Sequence, residues 1–271
     1  MYSVVNKVLK VLYVALLAVI LSACGNADRE AALQLTQDAE NEVKAGNYDE
    51  AIALLDTLDN RYAAEVEIRR SAMKYRAMAV EGVTIRRISA VDDTLAQLKA
   101  KLDQFETKFD YVTNPGKGLG GNFIAKSLTK GNYDILPRIN DEGYFTISVK
   151  IGKSIGFEYI KFISKDGTVS TKPIDASRLV KVENNEMTVL QQEDTDDAIK
   201  WLTDNDADAY ELVGSKSTVK QKLTPAMREA IVETWQFAEA KQSYRLALIT
   251  REKLERKLQL CRDQLANVID R

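Results

Sequence analysis

Residues 88–109 read ISAVDDTLAQLKAKLDQFETKF, in which Ile88, Val91, Leu95, Leu98, Leu102, Phe105 and Phe109 recur at steps of three and four without a break. Such spacing is the apolar seam of a helix that packs along another helix. Met73, Ala77, Val80 and Thr84 extend it upstream in nearly the same phase, with Gly82 as a soft point. The spacing predicts one long helix from about Ala64 to Tyr111. Its natural partner lies at the other end of the chain. Thr224 caps a second helix and Pro225 occupies its first position. Ile231, Trp235, Ala238, Gln242, Arg245 and Ile249 continue that helix, and Leu254, Leu258, Cys261, Leu265 and Val268 complete its seam.

Between the two helices the period changes. Asn114-Pro115-Gly116-Lys117-Gly118-Leu119-Gly120-Gly121 cannot continue a helix. It lacks the Lys-Ser or Lys-Thr that follows the last glycine of a phosphate-cradling loop, so it reads as a hinge. From about Tyr133 to Lys222 apolar residues alternate with polar ones. Phe145, Ile147, Val149 and Ile151 share one face, with Tyr144, Thr146, Ser148 and Lys150 on the other. Ile155 to Ser164 reads as a central strand, Asp166-Gly167 as a hairpin turn and Asn184-Asn185 as a second turn. Asp194 or Thr195 is placed to cap a short helix through Trp201, and two edge strands follow over 209–213 and 217–220.

The expected fold is therefore α+β: a long antiparallel, coiled-coil-like helical hairpin with a small antiparallel β-sandwich or barrel inserted at its tip. In that register Phe109 lies near Met227 and Tyr75 near Leu260. The domains are 1–23, 24–111 (helical hairpin and long helix), 112–224 (hinge and β insert) and 225–271 (C-terminal long helix). Pairing of the seams between chains satisfies the same spacing and stays open as an alternative.

Composition removes whole classes of chemistry. The chain has 271 residues and no histidine, which excludes Ser-His-Asp and Cys-His catalysis, histidine metal ligands and histidine pH switching. With 38 bases against 40 acids there is no basic excess to recommend nucleic acid as a partner. The cysteines are Cys24 and Cys261; the latter sits at an apolar seam position, as a small buried hydrophobe would.

The first residues carry an address. Lys7 and Lys10 precede an uncharged apolar run, Val11 through Ala23, too short to span a bilayer comfortably. The run closes on Leu21-Ser22-Ala23-Cys24, which resembles the lipobox of bacterial lipoproteins. The resemblance implies cleavage between Ala23 and Cys24 after a signal peptide of residues 1–23. It also implies acylation of Cys24 and a membrane tether through that lipid, which several acyl chains would make durable. Gly25, rather than aspartate, follows the cysteine, which in such proteins favours the bacterial outer membrane, on its periplasmic or surface face. Downstream, Ala39, Gly46, Tyr48, Ala51, Leu55 and Leu58 resemble a single tetratricopeptide repeat over about 31–64. Ala63 stands where such a repeat usually ends in proline, and no second full repeat follows. The implied unit is a helical hairpin.

No residue set forms a catalytic constellation, and no cofactor is expected. Tyr133, Tyr144 and Tyr159 are candidates for a ligand surface, since exposed aromatic faces can hold a sugar. Asp204, Asp206 and Asp208 alternate as calcium-binding oxygens do, but the glycine and late glutamate of an EF-hand are replaced by Ala209 and Ser215. A solvated acidic loop is the plainer reading. The function expected is a non-enzymatic scaffold or adaptor that presents its β domain to an envelope protein partner. The alternative is a cell-surface lipoprotein that binds a glycan or small ligand.

Overall fold

Gly46, at φ +81°, closes the turn between a helix over 26–45 (α1) and α2, Tyr48–Arg61. These helices open the chain in the computed structural model, which describes residues 26–113 and 120–269. The signal segment with Ala23 and Cys24 lies outside the described residues, as do positions 114–119 of the hinge. The remaining helices are α3 (Val66–Glu106), α4 (Gln192–Asp204) and α5 (Pro225–Ile269). Among the described residues, ten strands follow one another between α3 and α5, with α4 inserted after the eighth.

The chain divides into two compact units, and both long helices are shared out between them. One unit runs to Asp92 and resumes at Ile249; the other is Asp93–Leu248. In the helical unit, α1 and α2 pack Ala32, Ala39, Leu55 and Leu58 against Ile68 and Ala72 of α3. A second cluster joins Val43, Ala51 and Ala79. Tyr75 donates to Glu40 of α1 at 2.5 Å. The last part of α5 meets α3 through Arg251–Asp92 at 2.6 Å and Arg262–Glu81 at 2.9 Å. Cys261 is buried there.

The β unit holds two antiparallel sheets. The first contains β1 (Phe109–Val112), β2 (Asn122–Ala125), β3 (Ile135–Asn140), β4 (Phe145–Ile151), β7 (Val180–Val182) and β8 (Asn185–Gln191). Its strand order is β1-β2-β3-β4-β8-β7. The second contains β5 (Phe157–Ser164), β6 (Gly167–Ser170), β9 (Ala207–Gly214) and β10 (Thr218–Lys222), in the order β10-β9-β5-β6. One core joins the inward faces of both sheets to α4 and to the start of α5, with Ile147, Ile160, Phe162, Leu190, Ile199, Leu212 and Phe237 all fully buried. Local chemistry sets the helix starts. Gln191 and Asp194 form a reciprocal capping box on α4, and the Thr224 hydroxyl accepts from Met227 N–H at 3.2 Å on α5.

The expected long hairpin with a small β insert at its tip is not what forms. Ten strands among the described residues build a unit with the larger core, and Leu102, Phe105 and Phe109 of the expected seam are buried in it. Along α5, Ala230, Ile231, Thr234, Trp235, Phe237, Ala238 and Ala240 are all buried, a face broader than one seam. Phe237 stacks on Phe105 at 5.3 Å and meets Phe109 at 5.0 Å, so Phe109 finds a partner ten residues beyond Met227. Phe109 is itself a strand residue, because α3 stops at Glu106. Upstream, Met73 of the expected seam is 56% exposed while Thr84 is buried, and Ile68, Ala72, Ala79 and Val83 are buried beside it. Tyr75, expected near Leu260, is bonded to α1. Steps of three and four define an apolar stripe, and α1 and α2 claim a neighbouring one.

Candidate functional site

The outward face of the six-stranded sheet carries a groove of about 640 Å³ across β3, β4, β8 and β7. The pleat explains its lining. Ile135, Pro137 and Ile139 point into the core, so Leu136 and Arg138 point out; Phe145, Ile147 and Val149 point in, so Thr146, Ser148 and Lys150 point out. Register then sets these side chains in cross-strand rows. One row is Arg138, Thr146 and Gln191; the next is Leu136, Ser148 and Val189; the third is Lys150, Met187 and Val180. Tyr133 and Arg178 stand at the rim.

Electrostatics set this groove apart. Arg138, Lys150 and Arg178 line it, and among the described residues not one carboxylate does, in a chain where acids outnumber bases. Arg178 is already neutralised: it grips Asp194 at 2.7 and 3.2 Å and donates to Val189 O at 2.7 Å. That bond holds the Arg178 charge more firmly, while Asp194, pushed up by burial, is pulled below its ordinary range by Arg178 and Gln191 N–H. Arg138 has no such partner. It is half-buried, burial alone pulls its pKa down, and among the described residues none pairs with it. The Ser148 hydroxyl, in the next row, is buried without a hydrogen-bond partner among the described residues. An unpaired, partly desolvated guanidinium is costly to keep and gains from any anion that reaches it.

Two other hollows lack this imbalance. In the helical unit, a hollow of about 370 Å³ between α2 and α3 holds Arg69 and Arg76, but Asp59 and Asp56 pair with them. In the β unit, a hollow of about 460 Å³ mixes Lys99, Lys241 and Arg245 with Glu106, Asp141 and Glu142. Lys241 lies 4.2 Å over the Phe123 ring, and burial there lowers its pKa.

The three candidate tyrosines do not converge. Tyr133 lines the groove and its hydroxyl donates to Ser127 O at 3.3 Å. Tyr144, 53% exposed, sits at the opposite end of the β3–β4 hairpin, and Tyr159 belongs to the other sheet. Asp204 ends α4, while Asp206 and Asp208 are exposed and Asp206 pairs with Arg228 at 2.9 Å. Among the described residues no group of three or more acidic, cysteine or histidine side chains is placed to hold a metal ion. Arg138, Ser148, Arg178 and Met187 were not among the candidate ligand residues read from the sequence, although alternation put Ser148 on the outward face. Arg138 did leave a trace, as a lone charge in the alternating run Ile135-Leu136-Pro137-Arg138-Ile139.

No helix among the described residues is long and apolar enough to cross a membrane. No family model matches the chain, and no curated protein or solved structure is significantly similar to it.

Proposed function

We propose that the protein is a lipid-tethered, non-enzymatic binding module of the bacterial envelope. Acylated Cys24 would hold it at the outer membrane, and the β unit would carry the recognition surface. The observation that carries this reading is the groove with three bases and no carboxylate. Sites for small ligands combine an apolar lining with a few convergent polar groups, and this groove has both. A binding role rather than catalysis is supported by the groove's chemistry. The Ser148 hydroxyl is buried, and the chain has no histidine to take its proton. The tether rests on the lipobox-like Leu21-Ser22-Ala23-Cys24.

A protein partner is the second reading. The edge strand β7 supports it, because Val180 and Val182 are 54% and 49% exposed beside an unpaired strand edge.

Metabolic labelling with an alkynyl fatty acid, followed by membrane fractionation, tests the tether. The native chain is expected to take up label and sediment with outer membrane, and Cys24→Ala to lose the label. Persistent labelling of the variant would sink the lipoprotein reading.

A further inference from the structure

We propose that the groove takes an amphiphilic monocarboxylate, an acid with an aliphatic body, whose carboxylate is bound by Arg138 and whose body lies over Leu136, Val189, Met187 and Val180. This names the ligand class of the binding module proposed above and rests on that reading.

The order of the rows gives the ligand its polarity. The row containing Arg138, Thr146 and Gln191 is wholly polar. Moving along the strands, the second row presents Leu136 and Val189 on either side of Ser148, and the third presents Met187 and Val180 beside Lys150, which is exposed to water. From the first row to the third is four residues of β4, about 13 Å at ~3.4 Å per residue. A charged head over the first row and an aliphatic body over Leu136, Val189, Met187 and Val180 fits this order, with the Lys150 amine left in water.

Charge count selects a monoanion. Of the three bases, Arg178 is committed to Asp194 and Lys150 is exposed to water. Only Arg138 is both half-buried and unpaired among the described residues. A guanidinium presents a planar fork that one carboxylate fills with two parallel hydrogen bonds. A sugar fits less well. It needs broad aromatic faces, and Tyr133 is the one aromatic residue lining the groove.

The test is calorimetric titration of octanoate, octanol and octylamine into the full chain held in lipid nanodiscs, with empty nanodiscs as blank. Octanoate is expected to bind, octanol at least tenfold more weakly and octylamine not at all. Arg138→Gln should weaken octanoate binding about tenfold while leaving octanol unchanged. Lys165→Gln, which removes the same charge from the exposed β5–β6 turn, should have no effect. Equal binding of octanoate and octanol, or of octanoate to native protein and Arg138→Gln, would overturn the proposal. So would absence of octanoate binding. If Arg138→Gln does not fold, Arg138→Leu is titrated in its place. A chain that fails to enter nanodiscs counts against the tether and not the groove, and is then titrated directly in buffer with the same outcomes decisive.

Discussion

Helix α5 is one element with two kinds of burial. Between Ala230 and Ala240 it is enclosed by β-sheet, α3 and its own aromatic cluster, and seven of the eleven positions are buried, with only Glu239 exposed. Beyond Ile249, in the helical unit, Cys261 is the one fully buried side chain described, with Leu254, Leu258 and Leu265 half-covered and Leu260 57% exposed. The spacing of apolar residues is similar in both stretches. What differs is the partner. Sheets and a neighbouring helix enclose a helix; a single neighbouring helix covers a stripe. The lesson is that periodicity fixes the secondary structure and the existence of an apolar face, while the depth of burial is decided by what arrives from distant sequence.

The sharpest way to break this comparison is to truncate one residue on each side of it. Phe237 is fully buried against Phe105, Phe109 and Phe123. Phe237→Ala is expected to cost about 3–5 kcal/mol, from lost transfer energy and the cavity left behind. Leu258→Ala, at a half-covered position, should cost about 1–2 kcal/mol. Urea unfolding of both variants measures the difference. Equal losses would mean that the helical unit is as deeply packed as the β unit, and the contrast would collapse.

The β unit also buries a charge. Glu186 on β8 is fully buried and accepts from the Ser154 hydroxyl at 2.8 Å and from Gly156 and Phe157 N–H at 3.0 Å each. It thereby ties the β4–β5 connection to the sheet. Burial pushes its carboxyl up, but these donors outweigh burial and hold it below the ordinary 4.5. The ionised form therefore stabilises the fold in full above that value, and the contribution is lost as pH falls from there through the depressed folded value. Glu186→Gln keeps the shape and removes the charge, and is expected to cost about 1–3 kcal/mol near neutrality. The gap between native protein and variant should narrow below pH 4.5. A gap constant from pH 7 to pH 3 in denaturant titrations would show that the charge contributes nothing.

Legibility followed the same divide. The strands β4 and β5, the Asp166-Gly167 turn and the Thr224-Pro225 start of α5 were readable, because alternation, turn chemistry and capping are encoded within a few neighbouring residues. The short strands β1 and β2 were not. Phe109 continued the heptad spacing, and only pairing with Ala125 makes it a strand residue. The groove was less legible still. Arg138, Ser148, Val189 and Met187 become neighbours through register between strands up to fifty residues apart, and no local pattern announces a cation left without a partner. The tyrosines drew attention for their residue type, and type alone does not bring them together.

The smallest expected effect tests the helical side and has a sign that can flip. Gly82, the soft point of α3, has a packing reason: the ring of Tyr48 lies against it, and a Cβ built there would overlap that ring. Gly82→Ala should therefore act in two opposite ways. It gains about 1 kcal/mol of helix propensity, and it forces the Tyr48 ring out of its seat at a cost of about 1–3 kcal/mol. The expected net change is a loss of about 1 kcal/mol in the native background. With Tyr48→Ala already in place the overlap is gone, and the same substitution should stabilise by about 1 kcal/mol. Thermal melts of the four proteins in this cycle read the reversal directly. If Gly82→Ala stabilises both backgrounds, the ring moves aside without penalty. The contact between α2 and α3 is then looser than the close approach of Tyr48 implies, and the helical unit stands further still from the packed interior of the β unit.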